Sequence, residues 1–130
     1  MNEPIGIVLV SHSPRLAAGL AEILEEITSG AVPVVAVGGA DGGGIGTSYT
    51  LIHKAITEAD RGRGVAVLPD LGSSVLTTRT VLDDHPELTA VVIDAPFVEG
   101  AVAAAATAAA GGEMTDIVTA AEEARHVRKF

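Results

Sequence analysis

Ile7-Val8-Leu9-Val10-Ser11-His12-Ser13-Pro14-Arg15-Leu16 is an apolar run that breaks at a histidine and restarts at once on a helix signal. A short run rich in β-branched residues reads as a buried strand, and Ser13-Pro14 supplies an N-cap hydroxyl followed by proline at the first helical position. His12 therefore falls in a strand-to-helix turn. In an open α/β sheet such turns lie at the carboxyl ends of the strands, where ligands bind, and the helix N-terminus beside them favours anions. A lone histidine is more often structural than chemical, but this position makes His12 the first candidate for chemistry.

Outward from this stretch, Pro14 to Thr28 places Leu16, Leu20, Ile23, Leu24 and Ile27 at helical spacing, which predicts one apolar face packed on a sheet. Gly30 stops that helix, and Val32-Pro33-Val34-Val35-Ala36-Val37 is expected to be the next buried strand, completing a βαβ unit. Gly38 to Ser48 then interrupts all periodicity. Its glycines match neither G-x-G-x-x-G nor the P-loop, because Thr47-Ser48 follow Gly46 where a lysine would be needed. The segment reads either as a flexible loop or as backbone that must approach a phosphoryl group closely.

The following helix turns Ile52, Ala55, Ile56 and Ala59 inward and ends near Arg61-Gly62, with His53 in a flanking structural role. Gly64 to Asp70 is the third strand, and Asp70 occupies at its end the position that His12 occupies in the first. It reads as a turn residue or as the carboxylate that orients His12. Leu71 to Val75 opens a helix with an expected hydroxyl cap, and His85 stands at that helix's C-terminus. Leu88 to Ile93 is the fourth strand. Asp94 after it raises a His12-Asp70-Asp94 metal site as a lesser alternative, for which further ligands are lacking, so no metal is expected. Phe97 to Ala110 is an alanine-rich helix stopped by Gly111-Gly112. A last helix is expected to be capped by Thr115-Asp116 and to end in Arg125, Arg128 and Lys129, with His126 at its solvated end.

The whole is expected to be one domain over residues 1–130, an α/β single-domain open, mostly parallel sheet of about four strands flanked by helices. Composition narrows the function. The 130 residues are 48% hydrophobic but hold only two Phe, one Tyr and no Trp, which leaves little for stacking on bases. Seventeen acidic against eight basic residues give a net charge of −9, which repels nucleic acid and anionic membranes. Cysteine is absent, so disulfides, thiolate nucleophiles and zinc-cysteine sites are excluded. With no signal peptide or membrane-length apolar run, a cytoplasmic location is expected.

Four motifs occur in register along nearly the whole chain: Val10-Ser11-His12-Ser13, the glycine-rich loop closing on Ile45-Gly46-Thr47, Asp70-Leu71-Gly72-Ser73-Ser74, and Ala95-Pro96-Phe97-Val98-Glu99-Gly100. Together they resemble the DhaM family, the phosphotransferase subunits of PEP-dependent dihydroxyacetone kinase, whose first domain is similar to mannose-family EIIA domains of the sugar phosphotransferase system. The resemblance implies that His12 is phosphorylated and that Asp70 hydrogen-bonds its ring. Backbone N–H groups at the Pro14 helix start and the hydroxyls of Ser13, Thr47, Ser73 and Ser74 would hold the phosphoryl group.

It further implies a homodimer that takes phosphate from separate HPr and passes it to ADP on a DhaL subunit, so that ATP phosphorylates dihydroxyacetone on DhaK. No cofactor is expected on this chain itself, ADP and ATP belonging to the partner. The runner-up is a mannose-type EIIA that delivers phosphate to the EIIB protein of a sugar permease. A receiver-type signalling module would need an acidic pair after the first strand and a late lysine, where Ser11-His12-Ser13 and Asp94-Ala95 stand instead.

Overall fold

In the computed structural model, which describes residues 3–130, the opening run forms β1 (Gly6–Ser11) and the Ser13-Pro14 signal starts α1 (Pro14–Thr28). There follow β2 (Val34–Gly38), α2 (Tyr49–Ala59), β3 (Val65–Pro69), α3 (Gly72–Asp84), β4 (Ala90–Val92), α4 (Phe97–Ala109) and α5 (Met114–Glu123), then a 3-10 turn at Ala124–His126. The strands form one parallel sheet in the order β2-β1-β3-β4. This is the expected α/β sheet of four strands.

The two-residue period of the strands divides the core. Ile7, Leu9, Ala66 and Leu68 pack with α1, α4 and α5, whereas Val8, Val10, Val65 and Val67 pack with α2 and α3. Burying an Ile, Leu or Val side chain contributes about 1.5–3 kcal/mol relative to leaving it exposed, so these two layers dominate the stability. Because β1 and β3 are wet on neither face, they show continuous apolar runs.

The strand order has a further consequence. The chain leaves β1 toward β2 on one side and later extends from β3 to β4 on the other, so the reversal falls between β1 and β3. Residues at the carboxyl ends of these two strands therefore face the crevice where such sheets take their ligands. His12 and Asp70 are those residues.

Several expectations need correction. The buried stripe of α1 is Ala17, Leu20, Leu24 and Thr28, while Leu16, Ile23 and Ile27 lie on its flank and are about half exposed. Small Ala17 brings the helix close to the sheet and turns the larger neighbours outward. β2 is an edge strand with an exposed Ala36, not a buried one. α2 stops at Ala59, because Asp60 accepts from the N–H groups of Gly62 and Gly64 in a turn of its own. α3 starts on Leu71 with no side-chain cap. α5 is capped by Glu113 in a reciprocal box with Asp116, ahead of the expected cap at Thr115-Asp116.

Gly38 pairs with Ser11 and passes beneath the start of α1. A Cβ there would lie 2.8 Å from the Ser13 carbonyl and 2.9 Å from the Pro14 nitrogen, both backbone atoms. Gly38→Ala is accordingly expected to destabilise the protein by about 1–3 kcal/mol, read as a lowered midpoint in urea, because the helix carrying Ser13 must shift.

Candidate functional site

His12 leaves β1 with its side chain 22% exposed, and Asp70 leaves β3 with its side chain 8% exposed. Strand pairing carries on past the strand ends, where the Asp70 N–H donates to the Val10 carbonyl at 2.9 Å. The two side chains are thereby held side by side, with His12 Nδ1 2.8 Å from Asp70 Oδ1. The other carboxylate oxygen accepts from the Ser11 hydroxyl at 2.7 Å and the His12 backbone N–H at 3.1 Å. Oδ1 also accepts from the Ser74 hydroxyl at 2.8 Å and the Leu71 N–H at 2.6 Å.

This bonding decides the charge of Asp70. Burial pushes its carboxyl up, but the bonds donated by the Ser11 hydroxyl, the His12 ring, the Ser74 hydroxyl and the His12 N–H outweigh burial and hold it at about 2. An ionised carboxylate accepts only, so in the neutral ring Nδ1 carries the proton and Nε2 the lone pair. The Ser73 hydroxyl lies against Nε2 on the exposed side of the ring.

The hydroxyls singled out in the sequence take different places. Ser13 caps α1, its Oγ accepting from the Leu16 N–H at 3.3 Å. Thr47 Oγ1 is 3.0 Å from Thr77 Oγ1. Ser73 meets Nε2, whereas Ser74 is fully buried on the Asp70 side of the ring, 3.2 Å from Nδ1. Ser73 and Ser74 turn to His12 and Asp70, which is why α3 has no hydroxyl cap. Asp94 is exposed and pairs with Arg125 at 3.3 Å, and no described group of three metal-binding side chains includes it. His53 and His85 stack on one another with ring centroids 4.2 Å apart, and His126 is exposed in the C-terminal turn.

Two contributors escaped the sequence reading. Ser11 is fully buried and links the site together, donating to Asp70 while accepting from the Ser13 N–H at 3.0 Å. Gly46, at φ +144°, donates its N–H to the His12 carbonyl at 3.0 Å and so fastens the glycine-rich loop to the turn. A polar residue ending an otherwise apolar strand was the available signal for Ser11. Gly46 stood in the Ile45-Gly46-Thr47 motif, but nothing in the loop's composition pointed to its bond with His12.

The chain that builds this site matches, over residues 6–118, the family model EIIA-man, described as PTS system fructose IIA component. The chain is 38% identical to the phosphoryl donor subunit DhaM of PEP-dependent dihydroxyacetone kinase 1 from Listeria innocua, over 82% of this chain and 83% of that one. It is 35% identical to the phosphotransferase subunit DhaM of PTS-dependent dihydroxyacetone kinase from Lactococcus lactis, over 86% and 89%. The DhaM of Escherichia coli is 31% identical over 96% of this chain, which spans 28% of that longer protein. A crystal structure of a protein of unknown function superposes with a TM-score of 0.81 at 34% identity, covering 92% of this chain and 94% of that one. The chain belongs to the EIIA-man family, among the DhaM phosphoryl donor subunits of PEP-dependent dihydroxyacetone kinase. Among the described residues no helix is long and apolar enough to cross a membrane.

Proposed function

We propose that His12 accepts a phosphoryl group on Nε2 from phospho-HPr and passes it to ADP held on a DhaL subunit, the ATP formed there phosphorylating dihydroxyacetone on DhaK. The observation that carries this reading is the ring itself, with Nδ1 bound to Asp70 and Nε2 turned to the exposed side. In the first step the phosphorus–nitrogen bond of the donor breaks and a bond from phosphorus to Nε2 forms. In the second an oxygen of the ADP terminal phosphate attacks and Nε2 leaves with its electron pair. Asp70 keeps the Nδ1 proton throughout and stabilises the charge that the ring gains.

Ser73 is the hydroxyl that meets the phosphoryl group first. Ser13 and Thr47, next in sequence to His12 and Gly46, contribute from the rim, and Ser74 acts through Asp70. The N-terminus of α1 adds about 0.3–1 kcal/mol. Individually weak contacts of this kind suit a carrier that must release what it binds.

No lysine-bearing phosphate loop is present, so ADP belongs to the partner. Calorimetry with this chain alone is expected to give no binding below about 1 mM ADP. Phosphorylated protein offered both ADP-loaded DhaL and a mannose-type EIIB is expected to yield ATP with little transfer to EIIB. The reverse preference would overturn the kinase reading while leaving His12 in place.

The assembly we propose is a homodimer. The exposed Ile23 and Ile27 of α1 lie in a groove continuing to Gly30 and flanked by Glu22, Glu25 and Glu26, and a second copy would cover the two isoleucines. Sedimentation at micromolar concentration is expected to give twice the 13.1 kDa chain mass, and a monomer there would refute the dimer.

A further inference from the structure

Ser11 ends β1 as a polar residue on an otherwise apolar strand, and it is fully buried. Its hydroxyl donates to Asp70 Oδ2 at 2.7 Å and accepts the Ser13 N–H at 3.0 Å. The donors on the two carboxylate oxygens are divided unequally. Oδ1 takes the His12 ring, the Ser74 hydroxyl and the Leu71 N–H, whereas Oδ2 takes only the Ser11 hydroxyl and the His12 N–H, the second at 3.1 Å. Leu71 and Ser74 follow Asp70 within one turn of chain and shift with it. Apart from the His12 ring itself, Ser11 is the one described side chain that holds the carboxylate from β1.

We propose that Ser11 is a positioning residue for the phosphoryl transfer, its buried hydroxyl fixing the rotation of the Asp70 carboxylate so that Oδ1 stays on His12 Nδ1 and Nε2 stays free. The inference rests on the reading of His12 as the phosphoryl acceptor and names what keeps its ring in the reactive tautomer. Without the Ser11 bond, Oδ2 is held by one backbone N–H, and the carboxylate is free to turn about its Cβ–Cγ bond away from Nδ1. Water is no substitute. Replacing serine by alanine removes a single oxygen from a fully buried position, which leaves too little room for a water molecule. Burial pushes the Asp70 carboxyl up, and the Ser11 hydroxyl is foremost among the bonds that draw it down to about 2, so its loss moves that carboxyl upward. A carboxylate so loosened no longer selects one tautomer, and only a ring with its lone pair on Nε2 attacks phosphorus there.

The test compares wild type, Ser11→Ala and Ser11→Thr. Nitrogen NMR of the His12 ring at about pH 8, where an ordinary imidazole is neutral, reads the tautomer with no donor present. Wild type is expected to show a protonated Nδ1 and a bare Nε2, and Ser11→Ala two signals drawn toward each other. Single-turnover transfer from phospho-HPr is expected to slow about five-fold in Ser11→Ala, with the half-saturating donor concentration unchanged because the buried residue touches no partner. Ser11→Thr keeps a hydroxyl and is expected to restore both readouts. A wild-type tautomer in Ser11→Ala overturns the proposal whatever the rate does, since a merely structural role slows transfer without moving the proton. A shifted tautomer with wild-type transfer overturns it as well. So does a raised half-saturating concentration at full maximal rate, or a folded Ser11→Thr that behaves like the alanine variant. The Ser11→Ala measurements decide even if the added methyl of threonine disturbs the buried turn. If phospho-HPr does not label wild type, the reading of His12 fails first, while the tautomer comparison still tests Ser11.

Discussion

His12→Ala is expected to accept no phosphate at all from PEP, enzyme I and HPr, while His53→Ala, His85→Ala and His126→Ala still label. The loss should be complete because Nε2 is the atom that bonds phosphorus. His85 also has a carboxylate at Nδ1, Glu87 at 3.1 Å, but that carboxylate is exposed and the pair stands at the C-terminal end of α3 with His53 stacked on the ring. His126 is exposed in the C-terminal turn. Folding should survive. The imidazole lies outside both core layers, and Asp70 retains its bonds from Ser11, Ser74, Leu71 and the backbone of residue 12. One lost hydrogen bond costs about 1 kcal/mol. Mass spectrometry of the intact chain under non-acidic conditions reads the label, and normal labelling of His12→Ala would refute the central assignment.

Asp70→Asn should slow single-turnover transfer ten-fold or more, at least ~1.4 kcal/mol in the barrier. An amide has one oxygen where the carboxylate has two. If that oxygen faces Nδ1, the amide N–H groups confront the His12 N–H and the Ser11 hydroxyl; if it is flipped, the amide donates to Nδ1 and favours the tautomer that blocks Nε2. Unchanged transfer would remove Asp70 from the mechanism. Stability gives an independent readout. Because the folded carboxyl sits at about 2 against a usual 3.8, its ionisation contributes about 2 kcal/mol that is present in full above the higher value and lost as pH falls through the lower. The variant has no such group, so its deficit relative to wild type in urea should be clear near pH 7 and shrink as the pH approaches about 2.

The turn at His12 was legible because strand, N-cap and proline occur together within ten residues, and local chemistry alone decides such a boundary. Asp70 was legible as a parallel position on another strand. The face of α1 was not, because Leu16, Leu20, Ile23, Leu24 and Ile27 span an arc wider than the sheet covers, and Ala17 rather than any of them decides the rotation. The start of α3 misled for a related reason. Ser73 and Ser74 have the chemistry of caps, but a histidine 61 or more residues earlier in the chain competes for their hydroxyls. Propensity cannot register a competitor that only the fold brings near.

The pairing of His12 with Asp70 joins residues 58 positions apart across the seam between β1 and β3. A nascent chain that has assembled only β1, α1 and β2 holds the histidine but lacks the Asp70 carboxylate that selects its tautomer. Competence therefore arrives with the slow, non-local closure of the seam and not with the local helix that marks the histidine in the sequence. In a refolding experiment the capacity to be phosphorylated should appear with the last phase of sheet assembly, after the early helical signal, making the phosphoryl group itself a reporter of completed topology.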